Sequence, residues 1–151
     1  MIRLELSVPA SWENVKRVRE RVSEALVSAP EELRVASAMV ASELLENAIK
    51  HGIPDVSAHF LLEYSEHIIR IRVGNTPRSE DAVREANDRI EQLSDSPDKQ
   101  KLYLSRFATL STDPSASGKL GLYRIGLEGA FALSCTSDGP TFWVTAVRST
   151  Q

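Results

Sequence analysis

Apolar and polar residues alternate at the start of the chain and then recur at helical spacing. From Ile2 to Val8 every second residue is apolar, which is the period of a strand with one buried face. Over residues 11–29 the apolar positions recur at intervals of three and four, which predicts an amphipathic helix with Ser11 as its N-cap. A second helix is predicted from Pro30 to Lys50, because proline suits a first helical turn and a glycine and a proline follow soon after the segment.

The rest of the chain predicts two hairpins and three more helices. The hairpins pair strand 56–64 with 68–74, and strand 133–137 with 141–148. The helices are predicted over 79–93, about 99–110 and 122–131, with a turn-prone loop at 111–119. Strands at both ends with paired helices between them predict an α+β two-layer sandwich, in which one mixed or antiparallel sheet carries helices on one face.

Composition and charge narrow the class of protein. The 151 residues are 42% apolar, which suits a single domain spanning residues 1–151 with one core. Lys and Arg number 18 against 21 Asp and Glu, so no positive field favours nucleic acid. No apolar run approaches the roughly 20 residues of a membrane span, and no basic and apolar leader is apparent. We therefore expect a cytoplasmic protein without a membrane or nucleic-acid partner.

The second predicted helix carries polar residues on its apolar side. At 100° per residue, Glu43, Asn47 and His51 fall within or beside the stripe that contains Val40 and Leu44. Burying such groups without partners costs about 1–3 kcal/mol for each neutral one. In a structural explanation, Asn47 bonds neighbouring backbone and Glu43 pairs with a basic side chain. In a functional explanation, Glu43 accepts a proton or orients a nucleophile, and Asn47 offers its amide oxygen to Mg²⁺.

Two strings in the sequence resemble the motifs of one family. ASELLENAIKHG, residues 41–52, resembles the N-box of the GHKL (Bergerat-fold) ATPases, particularly of the bacterial anti-sigma-factor serine/threonine kinases. SGKLGLYRIGLEGAF, residues 117–131, resembles their glycine-rich G2 box and the helix after it. The order of predicted elements also resembles the family, and the Gly-Asn segment that precedes a helical lid resembles its SiaB-like branch. The resemblance covers nearly the whole chain and implies the histidine-kinase-like ATPase (Bergerat) fold with a mixed sheet.

The resemblance also implies an activity and the residues that perform it. The protein would be an ATP-dependent serine/threonine kinase acting on a STAS-domain, anti-sigma-antagonist-like partner, and a homodimer is a further hypothesis. Glu43 would be the general base, Asn47 the Mg²⁺ ligand, and Lys50 or His51 a neighbour of the phosphates. The phosphate loop would lie at the start of the last helix, where free N–H groups favour anions, and would contain Gly118, Lys119 and Gly121.

Two positions depart from the family pattern. The adenine-binding G1 box is usually Asp-x-Gly-x-Gly, whereas this chain has VGNTPRSED with Asn75. A neutral amide is a weaker acceptor than a carboxylate, so we expect weaker or altered nucleotide binding. Lys119 stands where the family more often has glycine, and its ammonium would suit a phosphate. The rival hypothesis is therefore a degenerate, non-catalytic module of the same fold that regulates by docking to a partner without ATP turnover.

Overall fold

A computed structural model describes residues 1–95, 122, 124, 125 and 130–150 of the chain. The strands are β1 (Ile2–Val8), β2 (Ala58–Tyr64), β3 (Ile68–Asn75), β4 (Ala132–Asp138) and β5 (Thr141–Ser149). The helices are α1 (Trp12–Ala25), α2 (Glu31–His51) and α3 (Glu80–Asp95). Residues 122, 124 and 125 are also helical. The predicted strands and the first, second and third predicted helices are confirmed, apart from differences of a few residues at their ends.

Two local predictions need correction. Ser11 occupies the N-cap position of α1, but its hydroxyl makes no capping bond to the helix backbone. Its Oγ instead accepts a hydrogen bond of 3.3 Å from Nδ2 of Asn14. At the end of the helix predicted over 122–131, Ala130 and Phe131 are not helical, and Ala130 has a left-handed φ of +55°. The predicted helix over about 99–110 and loop over 111–119 lie outside the described residues.

The described strands form one sheet in the order β1-β2-β3-β5-β4, and all four pairings are antiparallel. The mixed sheet expected from the resemblance is therefore wrong for these strands. Two of the pairings are hairpins, which must be antiparallel. β1 and β2 are antiparallel because α1 and α2 bring the chain back to the end of the sheet at which β1 stops, where Val8 pairs with Ala58.

α2 is the central element of the core, because it packs against both α1 and the sheet. Val40, Ala41 and Leu45 on this helix are completely buried, as are Leu62 and Ile71 on the strands beneath. The residues on the inner side of α2 therefore face either packed side chains or a cavity between the helix and the sheet. No helix in the described ranges has the length and apolar character needed to cross a bilayer.

An ion pair fixes the first turn of α2 to the sheet. Arg148 on β5 donates to both carboxylate oxygens of Glu32, at 2.9 and 2.6 Å. The hydrogen bonds from Arg148 lower the pKa of Glu32, because they favour its charged form. This end of α2 is thereby held against the sheet, while the polar row lies near the other end.

Candidate functional site

A cavity of about 550 Å³, including its open mouth, lies between α2, α3 and the ends of β3 and β5. Its apolar walls include Leu44, Ala48, Val73, Val83, Leu122, Phe142 and Val144. Its polar lining residues are Asn47, His51, Asn75, Glu85 and Arg89. The cavity therefore combines a mostly apolar surface with a few polar groups, which is the usual character of a small-molecule site.

Asn47 lies in the cavity wall with one half of its amide unsatisfied. Its Nδ2 is buried and has no hydrogen-bond partner in the part of the chain that the structure describes. An unpaired buried donor costs about 1–3 kcal/mol. The structural explanation, in which Asn47 bonds neighbouring backbone through this group, therefore has no support within the described residues. A ligand with acceptor oxygens would satisfy the amide.

Glu43 lies one helical turn before Asn47 and is paired with an arginine, as the structural explanation for this residue predicted. Nη1 of Arg124 donates to Oε1 of Glu43 at 2.9 Å, and the carboxylate side chain is only 16% exposed. Glu43 is not among the residues that line the cavity, but both Asn47 and Leu122, two residues before Arg124, are. Sequence reasoning assigned no role to Arg124, and no spacing rule connects two residues 81 positions apart.

Asn75 fastens the end of β3 to the last turn of α2. Its Nδ2 donates to the carbonyl oxygen of Ala48 at 3.1 Å. This bond fixes the amide so that Nδ2 faces α2 and Oδ1 is the atom left to accept from a ligand. Gly52 allows the close approach, because a Cβ at that position would lie 2.5 Å from the same carbonyl oxygen and 3.0 Å from Nδ2 of Asn75. The residue at the G1 position therefore has a structural role as well.

We expect Asn75→Asp to lower the stability of the protein, although aspartate is the usual residue in the family whose motifs the sequence resembles. A carboxylate cannot donate to the Ala48 carbonyl, and it would place two oxygens against each other. Loss of a part-buried bond of this kind costs about 1–3 kcal/mol in the free energy of unfolding, measured by urea denaturation. Asn87→Asp on α3 provides the matched control, because Oδ1 of Asn87 accepts from Sγ of Cys135 and an aspartate oxygen can still accept this bond. Equal or greater stability of the Asn75 variant would show that the Asn75–Ala48 bond is not needed.

Arg78 satisfies two further carbonyl groups at the end of α2. Its backbone N–H donates to the carbonyl oxygen of His51 and its Nη2 to that of Lys50, both at 2.7 Å. The last carbonyl groups of a helix have no partners within the helix, so these bonds complete the C-terminus of α2. They hold the last turn, and with it Asn47, in a fixed position. Sequence reasoning missed this residue, since a lone arginine after a strand carries no signal.

Positive charge collects at the mouth of the cavity, around His51. Burial is the main cause that lowers the pKa of His51, followed by the nearby charges of Lys50 and Arg89. Arg78 lowers this pKa further, and Glu85 partly opposes the shift. Arg89 lines the cavity and is bound to Glu85 at 3.4 Å. This group of side chains carries a positive excess that suits an anionic ligand.

The pKa of His51 gives a test of that charge. In the ligand-free protein we expect the pKa of His51 to lie below 6.5. The folded protein is therefore stabilised by neutral His51 above pH 6.5, and this stability is lost as the pH falls through the lowered pKa. ATP should raise this pKa, since negative phosphates favour the imidazolium. NMR titration of the imidazole signals measures the pKa of His51 with and without ATP. His67, exposed in the β2–β3 turn, is the internal control, and an ATP-induced change equal at both residues would contradict a specific site.

Of the remaining predicted site residues, the structure describes only Lys50. Lys50 is exposed next to His51, and its carbonyl group accepts from Arg78. Gly118, Lys119 and Gly121 lie outside the described residues, so the phosphate loop stays a prediction. Within the described ranges no three His, Cys, Asp or Glu side chains come together as a metal cluster.

Comparison of the fold with solved structures finds a chain of the SiaB–SiaC complex from Pseudomonas aeruginosa. The two chains superpose with a TM-score of 0.65 at 17% sequence identity, over 97% of this chain and 89% of that one. Neither protein-family profiles nor curated protein sequences give a match. The molecule is thus an α+β sandwich with a cavity beside its central helix. Its fold is similar to that of a chain in the SiaB–SiaC complex.

Proposed function

We propose that this protein is an ATP-dependent serine/threonine kinase of the anti-sigma-factor type, which phosphorylates a STAS-like partner in a partner-switching pathway. The observation that carries the proposal is Nδ2 of Asn47, which is buried beside a mostly apolar cavity without a partner among the described residues, one helical turn from the carboxylate of Glu43. The two sequence strings that resemble the N-box and the G2 box support the same function. The likeness in fold to a chain of the SiaB–SiaC complex is consistent with it.

The chemistry of the cavity lining suits a nucleotide. Its apolar walls, which include Val73, Phe142 and Val144, are suited to the faces of a purine ring. Oδ1 of Asn75 is the acceptor for the exocyclic amine of adenine, since its Nδ2 is held by Ala48. The positive side chains at the mouth, Arg89 among them, would balance phosphate charge.

The polar groups of α2 fit a magnesium ion bound together with the phosphates. Mg²⁺ prefers oxygen ligands, keeps several waters and takes one or two ligands from the protein plus the substrate phosphates. The amide of Asn47 supplies one such oxygen, while its unpaired Nδ2 can donate to a phosphate oxygen. The bound ion would neutralise charge on the transferred group. Both the oxygen and the nitrogen of the Asn47 amide would therefore have a partner in the complex.

Glu43 is the residue that would act on the acceptor hydroxyl of the partner. Its carboxylate can orient the hydroxyl or take its proton, as the acidic residue of a phosphoryl-transfer site does. Most of the rate enhancement in such reactions comes from positioning and charge neutralisation. The bond from Arg124 and the position on a buried helix both restrict the movement of this carboxylate.

One observation favours the second candidate, a non-catalytic docking module. The end of β3 offers a neutral amide instead of a carboxylate, and that amide already serves as a link to α2. Such a module would bind its partner equally well with and without ATP and Mg²⁺.

Titration calorimetry of the purified protein with ATP, with and without Mg²⁺, tests the proposal. We expect binding that Mg²⁺ strengthens, followed by transfer of the γ-phosphate to a serine or threonine of a purified STAS-domain protein. Absence of binding at millimolar ATP, together with a partner complex that ATP does not alter, would favour the docking module.

A further inference from the structure

Arg124 joins the segment that follows the glycine-rich string to the central helix. It lies in the same helical turn as Leu122, which lines the cavity, while Glu43 lies one turn from Asn47, which lines the cavity as well. The bond between Nη1 of Arg124 and Oε1 of Glu43, at 2.9 Å, therefore lies close to the cavity. It connects the two elements that carry the family-like strings.

The two partners of this bond differ in exposure. The side chain of Glu43 is 16% exposed and that of Arg124 is 40% exposed. A carboxylate so far removed from water requires compensation of its charge, whereas the guanidinium retains part of its hydration. A charge-assisted hydrogen bond of this length also selects one orientation of the carboxylate. Loss of Arg124 would therefore take this donor away from the less exposed of the two charges, that of Glu43.

We propose that Arg124 is a positioning residue for Glu43. It keeps the carboxylate charged and correctly oriented for the acceptor hydroxyl, and it does not touch the nucleotide. This inference rests on the proposed kinase function, because it assigns Arg124 a part in that reaction. Loss of Arg124 should consequently slow the chemical step and leave nucleotide affinity unchanged.

A double-mutant cycle first measures the pair without reference to activity. The unfolding free energies of Glu43→Gln, Arg124→Gln and the double variant are compared with that of the wild type. We expect clear non-additivity, because each single change removes the charge attraction between the same two side chains. The pair Arg84–Asp81 on α3, also at 2.9 Å but more than 70% exposed at both side chains, is the matched control and should be nearly additive. Additivity at Glu43 and Arg124 would overturn the inference.

Kinetics then test the role in transfer, with a purified STAS-domain protein as acceptor. For Arg124→Gln we expect kcat to fall by about tenfold or more, while the KM and calorimetric Kd for ATP stay within about twofold. Arg124→Lys should recover part of the rate, since it restores a positive donor. Adding Arg124→Gln to Glu43→Gln should cause little further loss. Arg84→Gln should behave as the wild type.

The possible outcomes separate this inference from the proposed function. An active wild type with unchanged kcat in Arg124→Gln would overturn only the positioning role. A raised Kd for ATP with unchanged kcat would also overturn it and would make Arg124 a phosphate ligand. A wild type that transfers no phosphate would overturn the kinase proposal itself, and the positioning role would be lost with it.

Discussion

Asn47→Ala is expected to abolish Mg²⁺-dependent ATP binding and, at the same time, to leave the ligand-free protein as stable as the wild type or more stable. The buried Nδ2 of Asn47 has no partner in the described structure, so its removal takes away an unfavourable group worth about 1–3 kcal/mol. Calorimetry with ATP measures the loss of binding, and urea denaturation without ATP measures the stability. A binding residue kept at a cost to stability should show both effects together.

Asn14→Ala is the matched control for that experiment. Nδ2 of Asn14 donates to the Pro9 carbonyl oxygen at 3.1 Å, next to the start of α1, so this amide has an evident structural role. Its loss should lower stability and leave ATP binding intact, which is the opposite of the result expected for Asn47. If Asn47→Ala instead lowers stability and binds ATP normally, Asn47 is a structural residue and the proposed site loses its main support.

Glu43→Gln should abolish phosphoryl transfer while ATP still binds. Glutamine has nearly the same shape and can still accept a hydrogen bond from Arg124, but it cannot take a proton from the acceptor hydroxyl. General-base catalysis typically contributes a factor of about 10²–10⁴, so the rate of transfer should fall by that order. Single-turnover transfer to the STAS-domain acceptor and calorimetry with ATP separate the two steps.

Glu46→Gln provides the control on the same helix. Glu46 is three residues beyond Glu43 and is likewise partly buried and absent from the cavity lining, but it does not belong to the row of Glu43, Asn47 and His51. This variant should transfer phosphate at the wild-type rate. Transfer at the wild-type rate in Glu43→Gln as well would show that positioning by other groups is sufficient, and that Glu43 is not the general base.

The docking alternative predicts a different set of results for the same variants. Neither Asn47→Ala nor Glu43→Gln would affect the partner complex, because neither side chain would have a ligand to hold. Binding of the partner measured with and without ATP therefore distinguishes the two functions.

Much of the fold could be predicted from short stretches of sequence. The alternation from Ile2 to Val8 predicts β1, because the side chains of a strand point to opposite faces. The closing hairpin could be predicted from its turn, where Gly139 adopts a φ of +60° that favours glycine. The polar row on α2 could also be predicted, since the helical period alone puts Asn47 on the buried side.

Short stretches of sequence did not predict whether the strands pair in parallel or antiparallel. They also did not predict which elements form the cavity walls opposite α2. No local rule states that the end of β3 turns back on α2, as Asn75 does 27 residues beyond Ala48. No spacing in the sequence predicts that Lys50 and Arg89 lie together at the cavity mouth, or that Arg78 binds the end of α2.

The sequence by itself determined the elements, the stripe on α2 and the residues Glu43 and Asn47, because periodicity and turn chemistry act over a few residues at a time. Only the tertiary structure decided which groups meet them: Arg124, which donates to Glu43, is 81 residues away, and the cavity beside Asn47 has walls from α3, β3 and β5. Such contacts depend on how the helices lie on the sheet. That arrangement results from the packing of the whole core, which no short segment specifies.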